Sequence, residues 1–154
     1  MAKDRVYSCY RAAHKLYKWH LTPLSFLIRA FMRFVFACDV PYKATIGKGA
    51  LFPHDALGVV IHPDVVIGEN CHINQNVTIG GRQRQDVDIE VLPKIGNNVT
   101  IGVSAVVLGD ITVGDNAVIG AGSVVLHDVP ANAIVAGVPA KVIRIREDKI
   151  NTEE

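Results

Sequence analysis

The chain has 154 residues, 49% of them apolar and 20% charged, with a net charge of +1. That composition excludes an intrinsically disordered chain, and the length fits one domain with at most a small appendage. The near-neutral total by itself names no partner class, but residues 1–38 hold seven Lys or Arg against Asp4 alone, which leaves the rest of the chain net acidic.

The three cysteines, Cys9, Cys38 and Cys71, are an odd count without framework spacing. They read as reduced thiols, so a cytoplasmic protein is expected. The first ten residues are charged and polar with no apolar core, so no signal peptide is expected there. Val6, Tyr10, Ala13, Leu16 and Tyr17 fall at helical spacing and predict a helix from Asp4 to about Trp19. Thr22-Pro23 predicts a second start, with Thr22 as the capping residue and Pro23 at the first helical position. That helix runs from Leu24 to about Cys38, and Pro41 bars its continuation. Leu24–Cys38 is too short to span a bilayer and is interrupted by Arg29 and Arg33. A basic, apolar pair of helices fits either an ordinary solvated face or a peripheral contact with the inner membrane surface. His14 and His20 belong to this basic head.

From residue 44 the period changes. An aliphatic or aromatic residue recurs every six positions: Ile46 and Phe52, then Ile61, Ile67, Ile73 and Ile79, then Ile95, Ile101, Val107, Val113, Ile119 and Val125. Gly follows many of them, and four places after most of them stands a small or β-branched residue, such as Ala50, Cys71, Ala105 or Ser123. Six residues make one flat side and three sides make an eighteen-residue turn, so the pattern predicts a three-sided coil of short parallel strands stacked about 4.8 Å apart. The aliphatic residue points inward, the smaller one fits beside a corner, and Gly or Asn relieves the backbone at the bend. Cys71 and its equivalents are therefore core.

The phase slips twice, by three residues between Phe52 and Ile61 and by ten between Ile79 and Ile95. Excursions from a rigid scaffold are where function tends to sit. The second, about Gly81–Pro93, is polar and mixed in charge.

The ladder, the segments HDALGVVIHPDVVIGENCHINQNVTIGG and VIGAGSVVLHDVPANAIVAGVPAKVIR, and the excursions resemble left-handed β-helix acetyltransferases over about residues 39–146. Within them the chain is similar to the serine acetyltransferase group and to its short relatives that O-acetylate bacterial polysaccharide units. The resemblance implies a mainly β fold: a left-handed parallel β-helix of about four turns over residues 39–140, after a helical segment at 1–38 and before a tail at 141–154. The hand comes from the resemblance, because general chirality rules favour right-handed crossovers. It also implies a homotrimer with acetyl-CoA and the acceptor bound between neighbouring coils. No metal and no nucleic acid partner are expected.

Acetyl transfer from a thioester to a hydroxyl needs a base for the hydroxyl proton, donors for the oxyanion and a departing thiolate. His54, in the first excursion, stands where the family carries its catalytic His, and imidazole suits a base near neutral pH. Asp39 precedes it by the interval at which the serine acetyltransferase group carries an Asp that orients the imidazole. For the cofactor the resemblance implies backbone contacts to pantetheine at Val103, Ala121 and Gly122, further contacts at Leu126 and His127, and cations facing the nucleotide phosphates at Lys141 and Arg144. Val103, Leu126 and His127 depart from the side chains that relatives carry there.

The acceptor is read from departures. Serine acetyltransferases end the second loop in Arg-His before Pro-Lys-Ile, a pair that grips the amino acid carboxylate; here Val91 and Leu92 precede Pro93. Pro53 replaces an Asp before the catalytic His, and the N-terminal helical region is short. The expectation is a sugar hydroxyl of a surface polysaccharide or its precursor, with serine as the alternative. A zinc hydrase on the same coil needs three His at set spacing, which His54, His62 and His72 do not match; a non-catalytic trimeric scaffold is the other rival.

Overall fold

The computed structural model describes residues 4–81 and 91–147. Most of the second excursion and the end of the tail lie outside them.

Helix α1 spans Arg5–Lys18. Asp4 caps it by accepting from the Tyr7 amide at 2.7 Å, and its second oxygen accepts from the Phe52 amide at 2.6 Å, so one carboxylate both starts the helix and pins it to the coil. Tyr7 donates its hydroxyl proton to the Gly47 carbonyl at 2.8 Å. Tyr10 donates to the Ala44 carbonyl at 2.7 Å and accepts from the Ile46 amide at 3.0 Å; burial pushes its phenol up to about 12. These bonds lay α1 across the first coil turn.

Helix α2 spans Thr22–Phe36. It begins two residues earlier than expected: Leu21, not Thr22, is the cap residue, and Pro23 sits inside the first turn, where its missing N–H costs nothing. The buried Ser25 hydroxyl bonds to the Ala13 carbonyl at 2.9 Å, which locks the two helices together. The helix ends at Phe36 rather than Cys38, on a left-handed Ala37 with φ of 51°.

The coil strands follow in order: β1 Thr45–Ile46, β2 Val60–Ile61, β3 Val66–Ile67, β4 His72–Ile73, β5 Thr78–Gly80, β6 Lys94–Ile95, β7 Thr100–Ile101, β8 Val106–Leu108, β9 Thr112–Val113, β10 Val118–Ile119, β11 Val124–Val125 and β12 Ala133–Gly137. They form three faces of parallel strands, β1-β3-β6-β9, β4-β7-β10-β12 and β2-β5-β8-β11, which is the expected three-sided coil of about four turns. A last strand, β13 at Ala140–Ile145, folds back antiparallel on β12 and covers the exposed edge of that face. Lys141 and Arg144 therefore stand on a strand attached to the coil.

All twelve ladder residues from Ile46 to Val125 are buried, as are all ten smaller residues from Ala50 to Val129. Ile61 pairs with Ile79, and Ile101 with Ile119, at the eighteen-residue turn. Across the first excursion Ile46 pairs with Ile67, and across the second Ile79 pairs with Val107. The strand register is kept across both excursions, so the scaffold is undisturbed by either.

The structure divides the corner work differently from the sequence expectation. At most described corners the bend is made three places after the ladder aliphatic by a single left-handed residue, as at Asn70, Asn76, Asn98 and Asn116. The Gly directly after the aliphatic serves stacking instead: a Cβ at Gly47 would come within 2.5 Å of the Gly68 carbonyl carbon in the next turn. Asn98, Asn116 and Asn132 add a ladder of amide bonds at 3.2 and 3.0 Å.

Candidate functional site

The first excursion is built from the buried Phe52 outward. Pro53–Ala56 forms one tight turn in which His54, Asp55 and Ala56 have φ of 56°, 54° and 55°. Three consecutive left-handed residues, none of them Gly, cost about 1–2 kcal/mol each. The surroundings hold the turn: Ala56 is fully buried, the Gly58 amide donates to the Ala37 carbonyl at 3.0 Å, and the Asn76 amide donates to Leu57 at 2.8 Å. The Arg5 guanidinium reaches from α1 to the Asp55 carboxylate, with its Nε 3.0 Å from one oxygen. The outcome is an exposed His54 whose imidazole makes no hydrogen bond among the described residues. Strain of this kind persists where the fold over-determines it, and it gathers at functional sites.

Asp39 lies on the coil turn that the excursion leads into: its amide donates to the Val59 carbonyl at 2.8 Å, and the Ile61 amide donates to its carbonyl at 3.0 Å. Its carboxylate is not paired with His54, contrary to the sequence expectation. Both oxygens take a two-pronged bond from Arg29, at 2.8 and 3.0 Å, and Arg33 adds a third contact at 3.5 Å. The physical reason is on α2, where Arg29 and Arg33 stand one turn apart and present planar donors to the same carboxylate. Sequence reasoning took these arginines only as interruptions of an apolar run; the i, i+4 spacing ahead of an Asp was the available signal. Cys38 beside them is buried, and desolvation followed by the Asp39 charge pushes its thiol up to about 11, far from a reactive thiolate.

The expected cofactor residues line the far half of the coil. A Cβ at Gly102 would come within 2.6 Å of the Ala121 nitrogen, and a Cβ at Gly122 would meet nothing within 4 Å. The Gly122 amide donates to the Val103 carbonyl at 2.8 Å, while the Ala121 amide has no partner among the described residues. Ala121, Gly122 and His127 are exposed, and Val103 and Leu126 are half-buried. Lys141 and Arg144 are exposed, with no carboxylate partner among the described residues.

The remaining candidates are scaffold. Cys71 is fully buried, with its thiol 3.1 Å from the Gly96 carbonyl. His62 is half-buried and accepts from the Asp64 amide at 3.2 Å, and His72 is exposed on β4. Among the described residues no three His, Cys, Asp or Glu side chains gather as a metal site.

The bacterial transferase hexapeptide (six repeats) family model matches residues 93–127. The chain is 45% identical over 139 residues to the chloroplastic serine acetyltransferase 1 of Arabidopsis thaliana, covering 90% of this chain and 43% of that protein. Among solved structures, soybean serine acetyltransferase complexed with serine superposes with a TM-score of 0.81 at 42% identity, over 90% of this chain and 56% of that one. Serine acetyltransferase of Brucella abortus in complex with coenzyme A gives 0.82 at 36% identity, over 91% and 55%. The chain spans about half the length of the relatives it matches. The left-handed winding is shared with these structures. The expectation of a polysaccharide hydroxyl is overturned: relatives at 40–45% identity across most of this chain are serine acetyltransferases. The sequence reading gave a few loop positions more weight than the likeness running through both helices and the whole coil.

Proposed function

We infer the function from one premise: the chain belongs to the hexapeptide-repeat transferases, in their serine acetyltransferase-like group. Its reaction is transfer of an acetyl group from acetyl-CoA to the hydroxyl of serine. The observation that carries this reading is the strained, solvent-facing His54 on a coil whose likeness to serine acetyltransferases extends over nine-tenths of the chain.

His54 takes the proton from the serine hydroxyl as that oxygen bonds to the acetyl carbon. As the carbon–sulfur bond breaks, the imidazolium returns the proton to the departing thiolate. Asp39 acts on this turn through the backbone it shares with Val59 and Ile61, with its carboxylate set in place by Arg29. Acetyl-CoA, when bound, supplies the activated thioester. The residues fit it: the space at Gly122 is open, and among the described residues the Ala121 amide is an unused donor and Lys141 and Arg144 have no carboxylate partner and suit phosphates. Val103, Leu126 and His127 complete the proposed cofactor surface. The reading includes a homotrimer, supported by the outward-facing, exposed Val60 and Val66 on the coil. It also includes a cytoplasmic location, supported by three free thiols.

The test is thiol release from acetyl-CoA by the purified protein with serine or with free sugars as acceptor. Serine-dependent release is expected, and release that serine does not stimulate would overturn the reading.

A further inference from the structure

Each coil strand from β1 to β11 buries its ladder residue, but α2 turns most of its large apolar side chains outward. It buries Ser25 and Met32 and leaves Leu24, Leu27, Phe31, Phe34 and Val35 exposed, with Phe34 at 92% and Leu27 at 62%. At 100° per residue these five side chains fall within one arc of about a third of the helix circumference. Phe26, 59% exposed, widens the arc on the side of Arg33, and a hollow of about 400 Å³ opens between Phe26, Ala30, Phe34 and the two arginines. A contiguous apolar stripe of this kind marks a surface built to be covered.

The charges beside it indicate what covers it. α1 and α2 together contain no acidic residue, and the only acid before them, Asp4, is consumed by capping. Cations stand at both ends of the stripe. Lys15 and Lys18 close α1, Lys15 lies 4.6 Å over the ring of Trp19, and Trp19 is itself exposed just before the stripe begins. At the other end Arg33 keeps 62% of its side chain exposed despite its contact with Asp39. Aromatic and branched apolar side chains on one arc, an exposed Trp at its start, and Lys15 and Lys18 on a helix pair that holds no acidic residue of its own are the features of a helix that lies in a membrane interface. Among the described residues no helix is long and apolar enough to cross a membrane, so the contact is with one surface.

We propose that the exposed arc of α2, bordered by Lys15, Lys18 and Arg33, docks the protein onto an anionic lipid surface. The apolar arc enters the boundary between headgroups and acyl chains, and the cations meet the lipid phosphates.

The experiment is vesicle flotation of the full chain at low salt, with phosphatidylcholine alone and with an equal mixture of phosphatidylcholine and phosphatidylglycerol. The wild type should float with the mixed vesicles and not with phosphatidylcholine alone, and should be released as salt rises. The double variant Leu27→Glu/Phe34→Glu should partition at least tenfold less, with an unchanged circular dichroism spectrum. Lys15→Gln/Lys18→Gln, which leaves the apolar arc alone, should partition several-fold less and decides the matter if the first variant misfolds. Wild type that stays with the soluble fraction overturns the proposal, as do variants that float equally well. A fall in molar mass of the Glu variant without lipid also overturns it, because the arc then joins copies of the chain.

Discussion

The repeats from Ile95 to Val125 and the break at Phe52–Gly58 hang on the same scaffold and treat the backbone in opposite ways. In the repeats a corner uses at most one left-handed residue, as at Asn98, Ser104, Asn116 and Gly122. The break uses three in succession, His54, Asp55 and Ala56, and ends on an alanine, a type that seldom adopts that conformation. In the repeats the ladder side chains are buried; in the break the His54 imidazole faces solvent, without a hydrogen bond among the described residues. The contrast teaches that the ladder supplies rigidity, and the break uses some of it to hold His54 exposed to solvent.

Truncation in the ladder should have the largest effect on stability. Ile101→Ala removes a fully buried side chain and should cost about 2–5 kcal/mol, read from the urea midpoint. Leu57→Ala, in the break and half exposed, should stay within about 0.5 kcal/mol. Equal losses would break the comparison.

Arg29→Met tests what holds the break's neighbour in place. It strands the partly buried Asp39 carboxylate, which loses a bidentate partner, and should cost about 1–3 kcal/mol together with a fall in kcat. Arg29→Lys should recover only part of either, because an ammonium cannot form the two-pronged bond.

Tyr10 gives a pH test of the contact between head and coil. Its folded phenol titrates at about 12, above the ordinary value of 10, because burial opposes the charged form. The stability tied to the protonated phenol is therefore full below pH 10 and is lost as pH rises from 10 through 12. Tyr10→Phe should lower stability at pH 7, losing the bonds to Ala44 and Ile46, and should flatten the alkaline limb of the stability curve.

The smallest effect is the most specific. Ala56→Gly relieves a left-handed Ala and should stabilise by about half a kcal/mol, whereas Ala105→Gly in the repeats should destabilise.

Legibility in the sequence followed the same division. Every ladder residue was readable because period and burial are one fact when a coil has a single interior. The two helices were readable from spacing, with ends off by about two residues, because cap geometry depends on contacts such as Ser25 with Ala13. His54 was legible as a candidate because it stands where the period fails. The Arg29–Asp39 clamp was not found, since it joins a helix to a coil turn and no local pattern records that pairing. The acceptor was misread from Val91, Leu92 and Pro53, a few positions set against a likeness that covers nine-tenths of the chain.

The most direct test of the central claim, that the break carries the chemistry, is the turnover of His54→Ala with serine and acetyl-CoA. Loss of a general base predicts a fall in kcat of roughly 10²–10⁴-fold with acetyl-CoA affinity unchanged. A variant that keeps more than about a tenth of wild-type kcat would contradict the account.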